Sequence, residues 1–102
     1  MTVEEALAIL AKYRDEIDSI DRELLEVLNR RTRVVEEIGR VKQSVSLPIY
    51  EPKREEDVFR NVRANNRGPL DSDALQRIFE RIIDEMRSLQ KMRRAHPGQG
   101  EK

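Results

Sequence analysis

The stretch VEEALAILAKYRDEIDSIDRELLEVLNRRTRVVEEIGRVKQ, residues 3–43, decides the fold class of this chain. No proline interrupts it, and its apolar residues recur at steps of three, four or seven in two adjoining rows. The first row contains Leu7, Leu10, Ile17, Leu24, Leu28, Val35 and Ile38, and the second contains Tyr13, Ile17, Ile20, Leu24, Val27, Val34, Ile38 and Val41. Two rows with this period are typical of an amphipathic helix, so we predict one very long helix over residues 3–43.

The remaining residues predict two shorter helices and a tail. Pro52 suits the first turn of a second helix, where its missing N–H is harmless. The sequence NNRGP at 65–69 ends that helix, and Asp71 or Ser72 caps a third. Residues 94–102 are charged and contain glycine and proline, so we expect a flexible tail after a helical domain at 1–93. The predicted class is all-α, with three helices per chain.

The length of the first helix predicts a dimer. About 41 residues at 1.5 Å each span roughly 60 Å. A compact chain of this size has a radius of gyration of only about 13 Å. Much of the apolar face would therefore remain in water unless a second chain covered it. We expect an intertwined helical homodimer.

Composition argues against several classes of function. The 20 Lys and Arg residues balance the 20 Asp and Glu residues, whereas nucleic-acid binders usually show a basic excess. There is no Cys, and the single His96 lies in the tail, which argues against metal sites, thiol nucleophiles and His-based catalysis. No apolar run approaches the ~18–20 residues of a membrane span. The N-terminal residues MTVEE lack a signal-peptide layout, so we expect a cytoplasmic protein with no membrane or nucleic-acid partner.

Polar residues interrupt the inward faces of all three predicted helices. They are Arg14, Asp21, Arg31 and Lys42 on the first helix, Arg54 and Glu55 on the second, and Gln90 on the third. Because buried charge is costly unless it is paired, this group needs partners. The residues alone leave two interpretations open: interhelical ion pairs, or a pocket for a small anion with carboxylates. Arg14 and Arg31 are 17 residues, or about 25 Å, apart on one helix, so a shared site requires Arg14 from a second chain.

Several segments in this order and spacing resemble the all-helical chorismate mutases. They are YRDEIDSID at 13–21, LL at 24–25, NRR at 29–31, VEEIGRVK at 35–42, LPIYEPKRE at 47–55, GPL at 68–70, IF at 78–79 and LQ at 89–90. The likeness covers about residues 5–91. It implies an intertwined three-helix dimer that converts chorismate to prephenate, a cofactor-free step toward phenylalanine and tyrosine.

The resemblance also implies a role for each matching residue. Arg31 and the partner chain's Arg14 would hold the two substrate carboxylates. Lys42 and Gln90 would donate hydrogen bonds to the ether oxygen, and Glu55 would meet the ring hydroxyl. The catalytic group would therefore be Lys42, Gln90, Arg31 and Glu55.

Three further positions complete the implied substrate-binding group. Arg54 would support the carboxylate side. Glu51 stands near the hydroxyl where the family commonly has Asp, and Met86 stands where some members have Ser. A side-chain hydrogen bond from Met86 to a carboxylate is therefore absent.

The chemistry agrees with the composition, because this unimolecular rearrangement needs no nucleophile, metal or general base. It needs a flexible dianion held in a compact geometry and donors aimed at an oxygen that gains negative charge. Two alternatives stay open: an isochorismate pyruvate lyase of the same fold, or a non-catalytic helical dimer that regulates a shikimate-pathway enzyme. Association with such an enzyme, and feedback by phenylalanine or tyrosine, are likewise open.

Overall fold

A computed structural model describes residues 1–96, which form three helices. Helix α1 spans Val3–Ser44, α2 spans Pro52–Asn65 and α3 spans Ser72–Ala95. The described residues contain no strand, so the predicted all-α class is confirmed. Helix α3 includes the first two residues of the predicted tail, and residues 97–102 of that tail lie outside the described part of the chain.

Side chains near the helix ends explain where the helices begin. At the start of α1, the Glu5 N–H donates to Thr2 Oγ1 at 3.1 Å while the Thr2 N–H donates to Glu5 Oε1 at 3.2 Å. This reciprocal capping box satisfies two backbone donors that the first turn leaves unpaired. Asp71 caps α3 by accepting from the N–H groups of Asp73 and Ala74. Glu51 precedes α2 without capping it, so its carboxylate is available elsewhere.

The chain divides into two compact units, Met1–Val34 and Val35–Lys102. The first unit consists of most of α1, no residue of which is buried. Its apolar rows are open to solvent, with Ile17 55% and Leu24 53% exposed. A helix face of this kind is stable only when something covers it.

The second unit contains the end of α1 together with α2 and α3. Ile83 of α3 is 8% exposed and is the one buried residue among those described. Helix α2 packs against α3, and Arg63 joins the two helices through Gln76 Oε1 at 2.8 Å and Asp73 Oδ1 at 2.7 Å. The hydrogen bond and charge of Arg63 hold the pKa of Asp73 below its ordinary value. This unit is therefore stabilised by its own helix packing and by hydrogen bonds between α2 and α3.

The loop between α1 and α2 is held from both sides. Lys42 Nζ donates to the Ile49 carbonyl at 3.1 Å, and Arg94 Nη1 of α3 donates to the Leu47 carbonyl at 2.9 Å. The Leu47 N–H returns to the Lys42 carbonyl at 2.7 Å. These contacts fix the segment that carries Tyr50 and Glu51. Across residues 1–96, each helix is too short or too polar to cross a bilayer.

Candidate active site

Lys42, in the last turn of α1, is engaged by the loop that follows it. Its ammonium pairs with the Glu51 carboxylate and donates to the Ile49 carbonyl at 3.1 Å. The Lys42 side chain is only 12% exposed. An ammonium carries three N–H donors, and these two contacts use two of them. Lys42 is thus held in place with one donor left for a ligand.

Gln90 of α3 lies against the same face of α1 that carries Lys42. Its Nε2 donates to the Val35 carbonyl at 3.2 Å, and a Cβ on Gly39 would be 3.5 Å from its Cγ. Val35, Gly39 and Lys42 are four and three residues apart, so they share one helix face. Gly39 therefore marks a close approach of α3. The amide has two N–H donors, and the Val35 carbonyl uses one.

Glu55, in the first turn of α2, is paired with Arg87 of α3. Glu55 Oε2 lies 3.2 Å from Arg87 Nε, and Arg87 Nη2 donates to Oε1 at 3.3 Å. The two side chains are 21% and 29% exposed, so the pair is partly shielded from water. The same guanidinium lies over the ring of Tyr50, 5.1 Å from its centroid.

The other predicted site residues lie on all three helices. Arg54 is exposed on the first turn of α2, and Met86 is half-buried on α3, one turn before Gln90. Arg14 and Arg31 belong to the first unit, where Arg14 is exposed and Arg31 is half-buried. Their roles stay predictions from the resemblance.

The sequence interpretation missed Arg87, and a signal for it existed. Ile83, Arg87, Gln90 and Arg94 recur at steps of four, three and four, which places them on one face of α3. Following that row from Ile83 would have shown an arginine pointing inward. The contact with Tyr50 had no such signal, because it depends on the path of the loop.

These side chains suit a particular kind of chemistry. An ammonium and an amide, each with a donor to spare, favour an oxygen that carries or gains negative charge. The carboxylate of Glu55 accepts hydrogen bonds from a hydroxyl. The set suits binding and polarisation of an oxygen-rich anion rather than nucleophilic attack.

Known proteins resemble this chain in sequence and in fold. The family model for chorismate mutase type II matches residues 13–91, a range that contains every predicted site residue from Arg14 to Gln90. The chain belongs to the type II chorismate mutase family. A solved structure of chorismate mutase (form II) from Thermus thermophilus is 35% identical, with a TM-score of 0.78 over 80% of this chain and 93% of that one.

Two curated relatives of this chorismate mutase family differ in their overall length. A bifunctional chorismate mutase/prephenate dehydratase from Aquifex aeolicus is 37% identical over 86 residues, which are 80% of this chain and 24% of the relative. The chain thus spans about a quarter of that protein. A chorismate mutase from Methanocaldococcus jannaschii is 28% identical over 83 residues, and the match covers 84% of its length.

Proposed function

We propose that this protein is a chorismate mutase, which converts chorismate to prephenate by an intramolecular rearrangement. Membership of the family supports the proposal, as does the match over most of the Methanocaldococcus jannaschii chorismate mutase. The observation that carries it is the placement of Lys42 and Gln90 along one face of α1, each with an unused N–H.

The unused donors explain how the site accelerates the reaction. As the ether C–O bond breaks and a C–C bond forms, negative charge grows on the ether oxygen. Donors that meet this oxygen stabilise the transition state more than the substrate, which is the condition for catalysis. Removing one donor of this kind typically costs about 10²–10³ in kcat. Because Lys42 and Gln90 are held by other contacts, little reorganisation is needed when the charge develops.

The substrate is a flexible dianion that must be folded before it reacts. We propose that Arg31 and Arg14 of the partner subunit grip its two carboxylates and that Arg54 supports the carboxylate side. Guanidinium groups suit this task because they bind carboxylates through paired hydrogen bonds. The 25 Å estimated between Arg14 and Arg31 along α1 favours a homodimer with two composite sites.

We assign recognition of the ring hydroxyl to Glu55, with Glu51 nearby. Glu51 also pairs with Lys42, so it orients the ammonium. The thioether of Met86 has no hydrogen-bond donor, which leaves the substrate carboxylates to the arginines. The site as proposed uses no cofactor and no metal ion.

The test is to add chorismate and follow its ultraviolet absorbance, then identify the product. Prephenate supports the proposal, whereas pyruvate and an aromatic acid would identify the lyase alternative. No consumption above the uncatalysed rate would favour a non-catalytic dimer. Lys42→Met provides the control, because it removes the ammonium donor and should slow turnover at least about 10²-fold.

Two further parts of the proposal concern the cell. We place the protein in the cytoplasm, since its proposed reaction serves amino-acid biosynthesis. Association with a shikimate-pathway enzyme stays a prediction, and co-elution of the two purified proteins in gel filtration would test it.

A further inference from the structure

Arg87 joins three segments of the second unit at one point. From α3 it reaches the Glu55 carboxylate on α2 through Nε at 3.2 Å and Nη2 at 3.3 Å. Its guanidinium covers the ring of Tyr50 in the loop before α2. Asp84 holds the same Nη2 at 3.0 Å.

The pairing restricts Glu55 without using all of its hydrogen-bonding capacity. Each carboxylate oxygen of Glu55 faces one nitrogen of Arg87, so rotation about the last side-chain bond would break a contact. A carboxylate has about four acceptor positions, and the hydrogen bond from Arg87 Nη2 to Oε1 uses one of them, while Arg87 Nε lies in ion-pair contact with Oε2. The other acceptor positions are available to a hydroxyl group. Without Arg87, a partly buried carboxylate would lose its facing cation and its orientation.

The shape of arginine matters to this arrangement. Its planar guanidinium can meet two oxygens with two nitrogens while one of its faces lies on an aromatic ring. A lysine at this position would supply the charge through a single nitrogen. Asp84 on the same helix further restricts the guanidinium. Arg87 therefore fixes the orientation of the Glu55 carboxylate as well as neutralising its charge.

We propose that Arg87 is a positioning residue of the active site, which aims the Glu55 carboxylate at the ring hydroxyl of the substrate. This inference rests on the proposed function, since it assigns Arg87 a task in that same site. Arg87 acts through Glu55 and does not itself touch the substrate. Its contribution consequently depends on the presence of Glu55 and of the hydroxyl.

A double-mutant cycle separates this role from a structural one. Arg87→Met should lower kcat/KM for chorismate on the order of tenfold, and it should cause no further loss in a Glu55→Gln background. Arg87→Lys should restore part of the loss. With a chorismate analogue that lacks the ring hydroxyl, Arg87→Met and wild type should react alike.

Arg63→Met is the matched control, because Arg63 also joins α2 to α3 but does so through Asp73 and Gln76. It should keep wild-type kcat/KM. Circular dichroism and sedimentation establish that every variant is folded and has the wild-type oligomeric state. If Arg87→Met does not fold, Arg87→Lys replaces it in the cycle with a smaller loss that must again vanish beside Glu55→Gln.

The outcomes distinguish the two proposals. If wild type rearranges chorismate but the losses in the cycle are additive, the role of Arg87 is overturned and the mutase activity stands. The same holds if Arg87→Met is as impaired with the analogue as with chorismate. If wild type does not rearrange chorismate, the proposed function fails, and calorimetric binding of prephenate decides about Arg87. Weaker binding by Arg87→Met than by Arg63→Met then supports its role, and equal or absent binding overturns it.

Discussion

The two units of this chain differ in the solvent exposure of their apolar residues and in the pairing of their charged residues. In Met1–Val34 the apolar rows of α1 face solvent, with Ile17 and Leu24 more than half exposed. In the second unit Ile83 is buried, and partly shielded charged residues such as Lys42 and Arg87 have partners within the chain. Burying one large apolar side chain contributes about 1.5–3 kcal/mol, so the first unit leaves much of its possible stabilisation unused.

This difference indicates which parts of the site one chain supplies by itself. The donors Lys42 and Gln90 are already oriented by contacts within the second unit. We propose that a partner chain covers the apolar face of the first unit and supplies Arg14 to complete the site. We expect substitutions in the first unit to act through assembly and those in the second to act locally.

The largest expected effect comes from placing a charge on the exposed apolar face. Leu24→Glu would bury a carboxylate in the proposed dimer interface and remove an apolar side chain from each copy. Two lost leucines cost about 3–6 kcal/mol before the charge is counted, which weakens the dimer at least about 10²-fold. Turnover should disappear along with the dimer. Sedimentation velocity and a chorismate assay at micromolar protein concentration measure both.

Arg22→Glu is the control for that experiment, because it introduces the same side chain on the opposite face. Two residues correspond to 200° around a helix, so Arg22 lies about 160° from Leu24. It should remain dimeric and active. A wild-type protein that sediments as a folded 12.0 kDa monomer, or a dimeric and active Leu24→Glu, would contradict the predicted dimer.

The next prediction tests whether the two arginines of α1 act in different chains. Arg14→Ala and Arg31→Ala should each abolish turnover, since each leaves one substrate carboxylate without its guanidinium. After subunit exchange, half of the dimers are mixed, and each mixed dimer has one intact pocket. The mixture should therefore recover about a quarter of wild-type activity. Absence of recovery after verified exchange would place both arginines in one chain's pocket or make one of them structural.

Gln90 tests the local side of the comparison. Gln90→Glu replaces a neutral donor with a group that donates only when it is protonated. When ionised, it faces both the Val35 carbonyl and the charge that grows on the ether oxygen. An ordinary glutamate titrates near pH 4.3, so turnover should be about 10²-fold slower at pH 7.5 and should recover as the pH falls. Circular dichroism at each pH checks folding, and unchanged turnover with a flat profile from pH 5 to 8 would remove Gln90 from the site.

The fold was predictable from the sequence because its signals are local. Periodicity marks α1 over more than 40 residues, Pro52 marks the start of α2, and Asp71 caps α3 as expected. The three-helix architecture is confirmed for the described residues. The dimer stays a prediction, because it depends on contacts between chains.

The inward position of a candidate site residue was predictable only where a polar residue interrupts a regular row. Lys42 and Gln90 do so and lie along one face of α1, and their roles in a site stay predictions. The contacts of Glu51 with Lys42 and of Tyr50 with Arg87 depend on the path of the loop. That path includes a left-handed turn at Ser46, with φ 57°, which the local sequence does not announce.

The smallest expected effect concerns the ion pair between Asp73 and Arg63 within the second unit. Because Arg63 lowers the pKa of Asp73, the pair stabilises the fold fully above the ordinary aspartate pKa of about 3.9, and this contribution is lost as the pH falls through the lowered pKa. Asp73→Asn should lower Tm at pH 7 by about 3 °C or less, since exposed pairs contribute little, and the difference should vanish near pH 2 and in high salt.

A negative charge in the first turn of α3 is itself favourable, so Arg63→Met and the double variant are needed to isolate the Asp73–Arg63 pair. Thermal unfolding at one fixed protein concentration makes the comparison, because the Tm of a dimer depends on concentration. If the Tm losses of the two single variants simply add, the ion pair does not stabilise this unit. The same conclusion follows if Asp73→Asn lowers Tm equally at pH 2 and pH 7.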